Sequence, residues 1–184
     1  MLDLVECAAD FQAFLESRGV NFAFIGGVAN LRWGSARFTH DVDLSVFTGF
    51  EHETEFIADV LAHFEPRHPD AAKFAQQARV LLISGKGNIP IDIGLAGFPY
   101  EEDALGRATY ETLSEGVKLR VVSAEDLILM KAFAGRLQDW ADIEKVIERQ
   151  GKTLDRALIL RVAEGLAELK DDDRLVPELE RLLG

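Results

Sequence analysis

Two periods of hydrophobic and polar residues run along the chain, and they predict a mixture of helices and strands. Helices are predicted where apolar residues recur every three or four positions: residues 2–18, 28–33, 53–64, 70–77, 124–134, 140–149, 154–169 and 176–183. Strands are predicted where short apolar or alternating runs are bounded by turn residues: residues 22–25, 39–46, 79–84, 88–95, 110–113 and 117–122. Residues 98–109 predict an irregular segment with a short helix, because glycine and proline interrupt them.

The order of these elements predicts an α+β fold. Residues 1–122 contain all of the predicted strands, so we expect a core with a small mixed or largely antiparallel sheet flanked by helices. Residues 123–184 are helical in pattern and predict a C-terminal region that packs on this core, with a substrate cleft between the two parts.

The stretch from Phe22 to Phe47 contains the most informative pattern, the tripeptide Asp41-Val42-Asp43. Alternation along a strand places both aspartates on one face and Val42 on the other. Their separation along the strand is then about 6–7 Å. Two carboxylates this close repel each other unless a positive charge lies between them, and a hard cation such as Mg²⁺ is the simplest candidate.

An acidic, solvated strand face would also contain such a pair, but three neighbouring features favour a metal site. Aspartate is depleted in strands, so two in one short strand need a reason. Gly26-Gly27 precedes the pair, and glycine allows a backbone to approach a ligand closely. A third aspartate, Asp92, lies in a matching strand pattern, between Ile91 and Ile93. Pro90 beside it predicts an edge position or an unpaired N–H.

The composition limits the classes of protein that need to be considered. A chain of 184 residues with 48% hydrophobic and 28% charged residues is long enough for one good core. The single cysteine, Cys7, excludes an intramolecular disulfide and a cysteine-based zinc site, and it fits a reducing cytoplasm. The N-terminus lacks the basic region of a signal peptide, and no apolar run reaches the ~20 residues of a membrane span. We therefore expect a cytoplasmic protein with no membrane partner.

The charge balance bears on the substrate. With 32 acidic and 20 basic residues the net charge is −12, which disfavours strong non-specific binding of nucleic acid. A nucleic-acid substrate is still compatible with this charge if basic residues cluster locally. A small substrate, a cationic substrate or a basic protein partner fits the charge more directly.

Several short strings together resemble a known family. They are Ile25-Gly26-Gly27-Val28-Ala29, then Arg37-x-Thr39-x-Asp41-x-Asp43-Leu44, then Asp92, and finally Ser123 to Lys131 with Arg136 and Asp139. In this order they resemble the DNA polymerase β nucleotidyltransferase superfamily, and most of all its AbiEii-like and MNT-like branches, whose toxin members belong to bacterial toxin–antitoxin systems. Many catalytic members have Gly-Ser where this chain has Gly26-Gly27, so one hydroxyl contact to phosphate is missing.

The resemblance implies a polymerase-β-like core and a role for each matching residue. Asp41, Asp43 and Asp92 would be catalytic and would hold two Mg²⁺ ions, for which Mn²⁺ can substitute. Asp92 would also act as the base towards the acceptor. The residues implied in binding a nucleoside triphosphate such as ATP are Gly26, Gly27, Arg37, Thr39 and Lys131.

Some of these residues have an ordinary structural alternative. Arg37 and Thr39 also fit a surface turn. Lys131 falls late in a predicted helix, where a cation interacts favourably with the helix dipole. Asp139 stands near the start of the next helix, where its side chain would cap the N-terminus.

The sequence therefore predicts a Mg²⁺-dependent nucleotidyltransferase. It would move a nucleoside monophosphate from a nucleoside triphosphate to the hydroxyl of a tRNA or a protein, as the toxin of a pair with a cognate antitoxin protein. Two alternatives remain open at this point. One is a small-molecule transferase of the aminoglycoside or lincosamide type, for which the acidic charge would help to capture a cationic drug. The other is a non-catalytic module that binds a nucleotide or a protein partner.

Overall fold

A computed structural model describes residues 2–35 and 39–184, with the backbone alone for Leu2. The helices of these ranges are α1 (Leu2–Glu16), α2 (Gly26–Trp33), α3 (Glu53–Leu61), α4 (Ala71–Ala78), α5 (Pro99–Gly106), α6 (Ala124–Ala134), α7 (Leu137–Gln150), α8 (Arg156–Lys170) and α9 (Leu175–Leu183). The strands are β1 (Phe22–Phe24), β2 (Val42–Phe47), β3 (Glu65–Pro66), β4 (Val80–Ser84), β5 (Pro90–Ala96), β6 (Thr109–Ser114) and β7 (Val117–Val121).

The strands form a mixed seven-stranded sheet in the order β3-β4-β5-β2-β1-β7-β6. The central pair, β2 and β5, is parallel, and β1 is parallel to β7. The other neighbours are antiparallel, including the predicted hairpins β4–β5 and β6–β7. This mixed sheet and the helices around it in sequence confirm the predicted α+β class.

The core follows from the alternation in the central strands. In β2 the side chains of Val42, Leu44 and Val46 are fully buried, and in β5 those of Ile91 and Ile93 are as well. The residues between them in sequence point to the opposite face of the sheet. The aspartates of both strands therefore lie on one face, as the alternation predicts.

Two strand predictions need correction. Strand β2 begins at Val42 rather than Thr39, so Asp41 lies just before the strand. Strand β5 lies between β4 and β2, so the edge position predicted from Pro90 is wrong. Pro90 is instead the first residue of the strand, a place where proline is tolerated in an internal strand.

Several helices differ from their predicted bounds, among them α2, α5 and α7. Helix α2 begins at Gly26 and not at Val28, so the glycine pair forms its first turn. Residues 99–106 form the regular helix α5, which Glu101 stabilises because its side chain accepts hydrogen bonds from the backbone N–H groups of Gly97 and Phe98. Helix α7 begins at Leu137, three residues before the predicted start.

The described residues divide into two compact units. The first contains residues 2–28 and 39–122 and carries the sheet; the second contains residues 29–35 and 123–184 and is helical. In the second unit, the carbonyl oxygens of Trp33 and Gly34 accept hydrogen bonds from Gln150 and Arg149, at 2.7 and 2.5 Å. The packing of the C-terminal region on the core stays a prediction.

Each helix of residues 2–35 and 39–184 is too short or too polar to cross a lipid bilayer.

Candidate active site

Three aspartates converge at the start of the two central strands. Asp41 immediately precedes β2, and Asp43 is paired in register with Asp92 on the parallel neighbour β5. One carboxylate oxygen from each lies within 4.8 Å of the other two. All three side chains are half-buried, which exposes them to a ligand while reducing their hydration. The structure thus brings together the three carboxylates that the sequence singles out.

The carboxylates of Asp41 and Asp43 each accept a hydrogen bond from a residue of the predicted nucleotide site. The Thr39 hydroxyl donates to Oδ1 of Asp41 at 2.8 Å. The backbone N–H of Gly27 donates a long hydrogen bond of 3.4 Å to Oδ2 of Asp43. These contacts place Thr39 and the glycine turn beside the triad.

The glycine pair is required by close packing. Gly26 has a φ of +51°, and a Cβ there would overlap the carboxylate of Asp43. A Cβ on Gly27 would lie 2.5 Å from Oγ1 of Thr39. The Thr39 side chain therefore occupies the space that a side chain at position 27 would need.

Asp92 interacts with an arginine that sequence analysis does not identify. The Arg67 guanidinium donates a hydrogen bond to Oδ1 of Asp92 and forms an ion pair with it. Burial of the Asp92 carboxyl raises its pKa above the usual value, and the charge of Asp41 adds to this rise. The charge of Arg67 offsets only part of the effect. No local signal identifies Arg67, because it lies in an irregular stretch between two prolines.

Lys131 belongs to the second unit, where it is buried. Its Nζ lies 2.6 Å from Oδ2 of Asp142 and 3.4 Å from Oδ1 of Asp139. Asp139 also accepts hydrogen bonds from the Nε and the backbone N–H of Arg136, at 2.6 and 3.2 Å. The capping role predicted for Asp139 is therefore confirmed. Burial alone would raise the pKa of Asp139, but the contacts with Arg136 and Lys131 hold it below the usual value.

This network adds to the structural alternative for Lys131. The residue lies in the last turn of α6, as the dipole alternative requires, but it is only 5% exposed and its ammonium group faces two carboxylates. The helical spacing of Asp139 and Asp142 places them on one face of α7, a signal that was available in the sequence. A contact between Lys131 and a nucleotide stays a prediction. The predicted nucleotide residue Arg37 lies outside the described residues.

A comparison with protein families decides the assignment. The family model for the nucleotidyl transferase AbiEii toxin of type IV toxin–antitoxin systems matches residues 13–182. The chain belongs to the AbiEii nucleotidyltransferase family. The resemblance seen in the sequence is thereby confirmed, and this AbiEii protein is a transferase rather than a non-catalytic module. Curated protein sequences give no significant match.

Solved structures support the fold. An antigenic nucleotidyltransferase-like protein from Paracoccidioides brasiliensis is 19% identical with a TM-score of 0.53, over 97% of this chain and 92% of that one. The antibiotic-resistance factor ANT(2'')-Ia is 16% identical with a TM-score of 0.57, over 92% of this chain and 97% of that one. At these identities the likeness establishes a nucleotidyltransferase fold and says nothing about the acceptor.

Proposed function

We propose that this AbiEii protein transfers a nucleoside monophosphate from a nucleoside triphosphate to an acceptor hydroxyl, with Mg²⁺ as its cation. The observation that carries the proposal is the triad, in which oxygens of Asp41, Asp43 and Asp92 lie within 4.8 Å of one another. The family supplies the reaction class, and the triad supplies a place for the chemistry.

The donor set fits a divalent cation with hard ligands. The triad offers carboxylate oxygens alone, and Mg²⁺ prefers such oxygens, often together with those of substrate phosphates. Asp41, Asp43 and Asp92 would hold up to two Mg²⁺ ions, and Mn²⁺ would substitute. The bound cations would supply the positive charge that balances the triphosphate and that lowers the pKa of the acceptor hydroxyl.

The remaining steps fall to the residues of the chain. Gly26 and Gly27 form the first turn of helix α2, where the positive end of the helix dipole favours a phosphate, although the Gly27 N–H already donates a long hydrogen bond to Asp43. The Thr39 hydroxyl stands beside Gly27, and it would replace the phosphate contact of the missing serine if its hydrogen turned from Asp41 to the phosphate. Asp92 would accept the proton of the acceptor hydroxyl, and its raised pKa suits a base.

Two observations bear on the identity of the acceptor, and they favour different classes of molecule. Membership of a toxin family favours a macromolecular acceptor, tRNA or protein, and a cognate antitoxin as partner. The net charge of −12 favours a cationic small molecule, and the structurally similar ANT(2'')-Ia is an antibiotic-resistance factor. We place tRNA and protein first, because the family match covers this chain and the structural likeness supports only the fold.

An assay with labelled nucleotides tests the proposal and identifies the acceptor. The protein is incubated with Mg²⁺, each α-labelled nucleoside triphosphate in turn, and either tRNA, a protein extract or an aminoglycoside. We expect label in tRNA or in protein. Label in the aminoglycoside alone would instead assign the small-molecule function. Absence of transfer to all three classes, with a folded protein that binds nucleotide, would contradict the proposal.

Cation binding should be visible as a gain in stability. A cation that relieves repulsion within the triad binds only the folded state, so it stabilises that state by about 2.7 kcal/mol at 100 times its Kd. For a chain of this length we expect millimolar Mn²⁺ to raise Tm by about 5–10 °C. Differential scanning calorimetry with and without Mn²⁺ measures the shift.

Two double variants control this measurement. Asp41→Asn/Asp43→Asn should abolish the shift while the protein still folds. Asp171→Asn/Asp173→Asn removes two exposed acidic residues outside the triad and should leave the shift intact. Equal shifts in the wild type and in Asp41→Asn/Asp43→Asn would place the cation elsewhere.

A further inference from the structure

Arg67 reaches the triad from the edge of the sheet. It directly follows β3, and its backbone N–H donates to the carbonyl oxygen of Leu82 at 3.0 Å. Its Nε donates to the carbonyl oxygen of Ile83 at 2.9 Å, and the terminal Nη2 donates to Oδ1 of Asp92. The chain therefore holds the arginine on strand β4 at two points, with its guanidinium beside the third carboxylate.

We propose that Arg67 is the resident counter-cation of the triad, which fixes the Asp92 carboxylate and weakens cation binding to the nucleotide-free site. The inference rests on the proposed function, in which Asp92 is the third carboxylate of a cation site. It deepens that function, because it makes the affinity of the site for the cation rise when the nucleotide arrives.

The charges explain both parts of the proposal. The three ionised carboxylates carry three negative charges, and the guanidinium reduces their sum to two. A cation that enters beside Asp92 must therefore tolerate a fixed positive charge nearby, which opposes its binding. A triphosphate adds negative charge to the same place and offsets this cost. Of the two oxygens of Asp92, Oδ1 is hydrogen-bonded to Arg67, so Oδ2 is the oxygen left for a cation.

The planar guanidinium suits this role better than a lysine would. Its N–H groups diverge in a rigid fork, so Nε can bind the Ile83 carbonyl while Nη2 binds the carboxylate. Arg67 acts through Asp92 and not on the substrate, and we therefore describe it as a positioning residue.

The same pair of strands contains a matched control. Arg79 lies at the other end of β4, and its Nε donates to the carbonyl oxygen of Leu95 at 2.8 Å. Its Nη2 donates to the carbonyl oxygen of Gly49 at 2.7 Å. Arg79 thus binds backbone carbonyls beside the sheet as Arg67 does, but its carboxylate partner is Glu53, which is not part of the triad.

Binding of Mn²⁺ to the nucleotide-free protein, measured by electron paramagnetic resonance, tests the proposal. Arg67→Gln should bind Mn²⁺ about tenfold more tightly than the wild type, because a double charge no longer faces the guanidinium. Arg67→Lys keeps the charge but loses the fork, so its Mn²⁺ affinity should lie between those of the wild type and Arg67→Gln. Arg79→Gln should match the wild type. With a transfer assay, Arg67→Gln should lower kcat, since Asp92 serves the acceptor side.

The outcomes separate this inference from the proposed function. Equal Mn²⁺ affinity in Arg67→Gln, Arg79→Gln and the wild type would overturn the inference and leave Arg67 as a structural tie. Weaker Mn²⁺ binding in Arg67→Gln would also overturn it, because the arginine would then be needed to form the site. The Mn²⁺ measurement needs neither nucleotide nor acceptor, so a failed transfer assay would count against the proposed function alone.

Discussion

Replacing Asp43 with alanine should lower the rate of nucleotidyl transfer by about three orders of magnitude, whatever the acceptor, which corresponds to about 4 kcal/mol. Asp43 is central to the triad because it lies in register with Asp92 and accepts a hydrogen bond from Gly27. Its loss removes a cation ligand that both the nucleotide side and the acceptor side need. The value of kcat/KM with an α-labelled nucleoside triphosphate measures the effect.

The stability of the same variant should move in the other direction. Without a cation the triad is a set of repelling carboxylates, so Asp43→Ala should leave the free energy of unfolding unchanged or slightly higher. The control is Asp59→Ala, which removes a partly exposed aspartate that pairs with Arg18 on the surface. Asp59→Ala should retain full transfer activity. If Asp43→Ala transfers nucleotide at a rate within threefold of the wild type, the triad does not take part in catalysis.

The sequence predicts the triad well because the relevant signals are local. Asp41-Val42-Asp43 shows its two-residue period within one short run, and Asp92 shows the same period between two isoleucines. The alternation also identifies which face is buried, as Val42 and Ile91 confirm. The parallel pairing of β2 with β5 is a long-range contact that the local pattern does not predict. The superfamily resemblance implies only that the three aspartates act together.

Contacts that depend on strand order could not be predicted. Arg67 reaches Asp92 only because β3 pairs with β4 and β4 pairs with β5, so its neighbour is 25 residues away in the chain. A single arginine between prolines carries no periodic signal. The glycine pair was easier to recognise than to interpret, since Gly26 both opens helix α2 and makes room for the Asp43 carboxylate.

Lys131 shows a different limit of sequence patterns. Hydrophobic periodicity identifies the faces of a helix, but it does not show whether a buried cation has partners. The partners Asp139 and Asp142 lie on the next helix, and the turn at Gly135 brings them to the ammonium group. The result is a buried network of opposite charges, where the effect of a substitution is large.

Replacing Lys131 with methionine should therefore lower the free energy of unfolding by about 3–5 kcal/mol. Methionine keeps most of the volume, but it leaves two buried carboxylates without their shared cation. Arg136 still pairs with Asp139, whereas Asp142 loses the contact that holds its Oδ2 at 2.6 Å from Nζ. Urea unfolding followed by circular dichroism measures the change. The matched control is Lys145→Met, because Lys145 forms a surface pair with Glu148 at 2.8 Å with both side chains more than half exposed.

The control should change stability by less than about 0.5 kcal/mol, since surface ion pairs contribute little. Equal losses in the two variants would show that burial of the Lys131 network does not matter.

A third variant separates stability from nucleotide binding: Asp142→Asn keeps the ammonium group and removes one of its partner charges. If Lys131 contacts the triphosphate, Lys131→Met should weaken binding of a non-hydrolysable nucleotide by about 1.5–3 kcal/mol, the range for a hydrogen bond to a charged group. Asp142→Asn should then bind the nucleotide at least as tightly as the wild type. Loss of the Asp142 carboxylate leaves the Lys131 ammonium group less neutralised and therefore more attractive to the phosphates. Calorimetric titrations that give one dissociation constant for all three proteins would make Lys131 a purely structural residue of the helical unit.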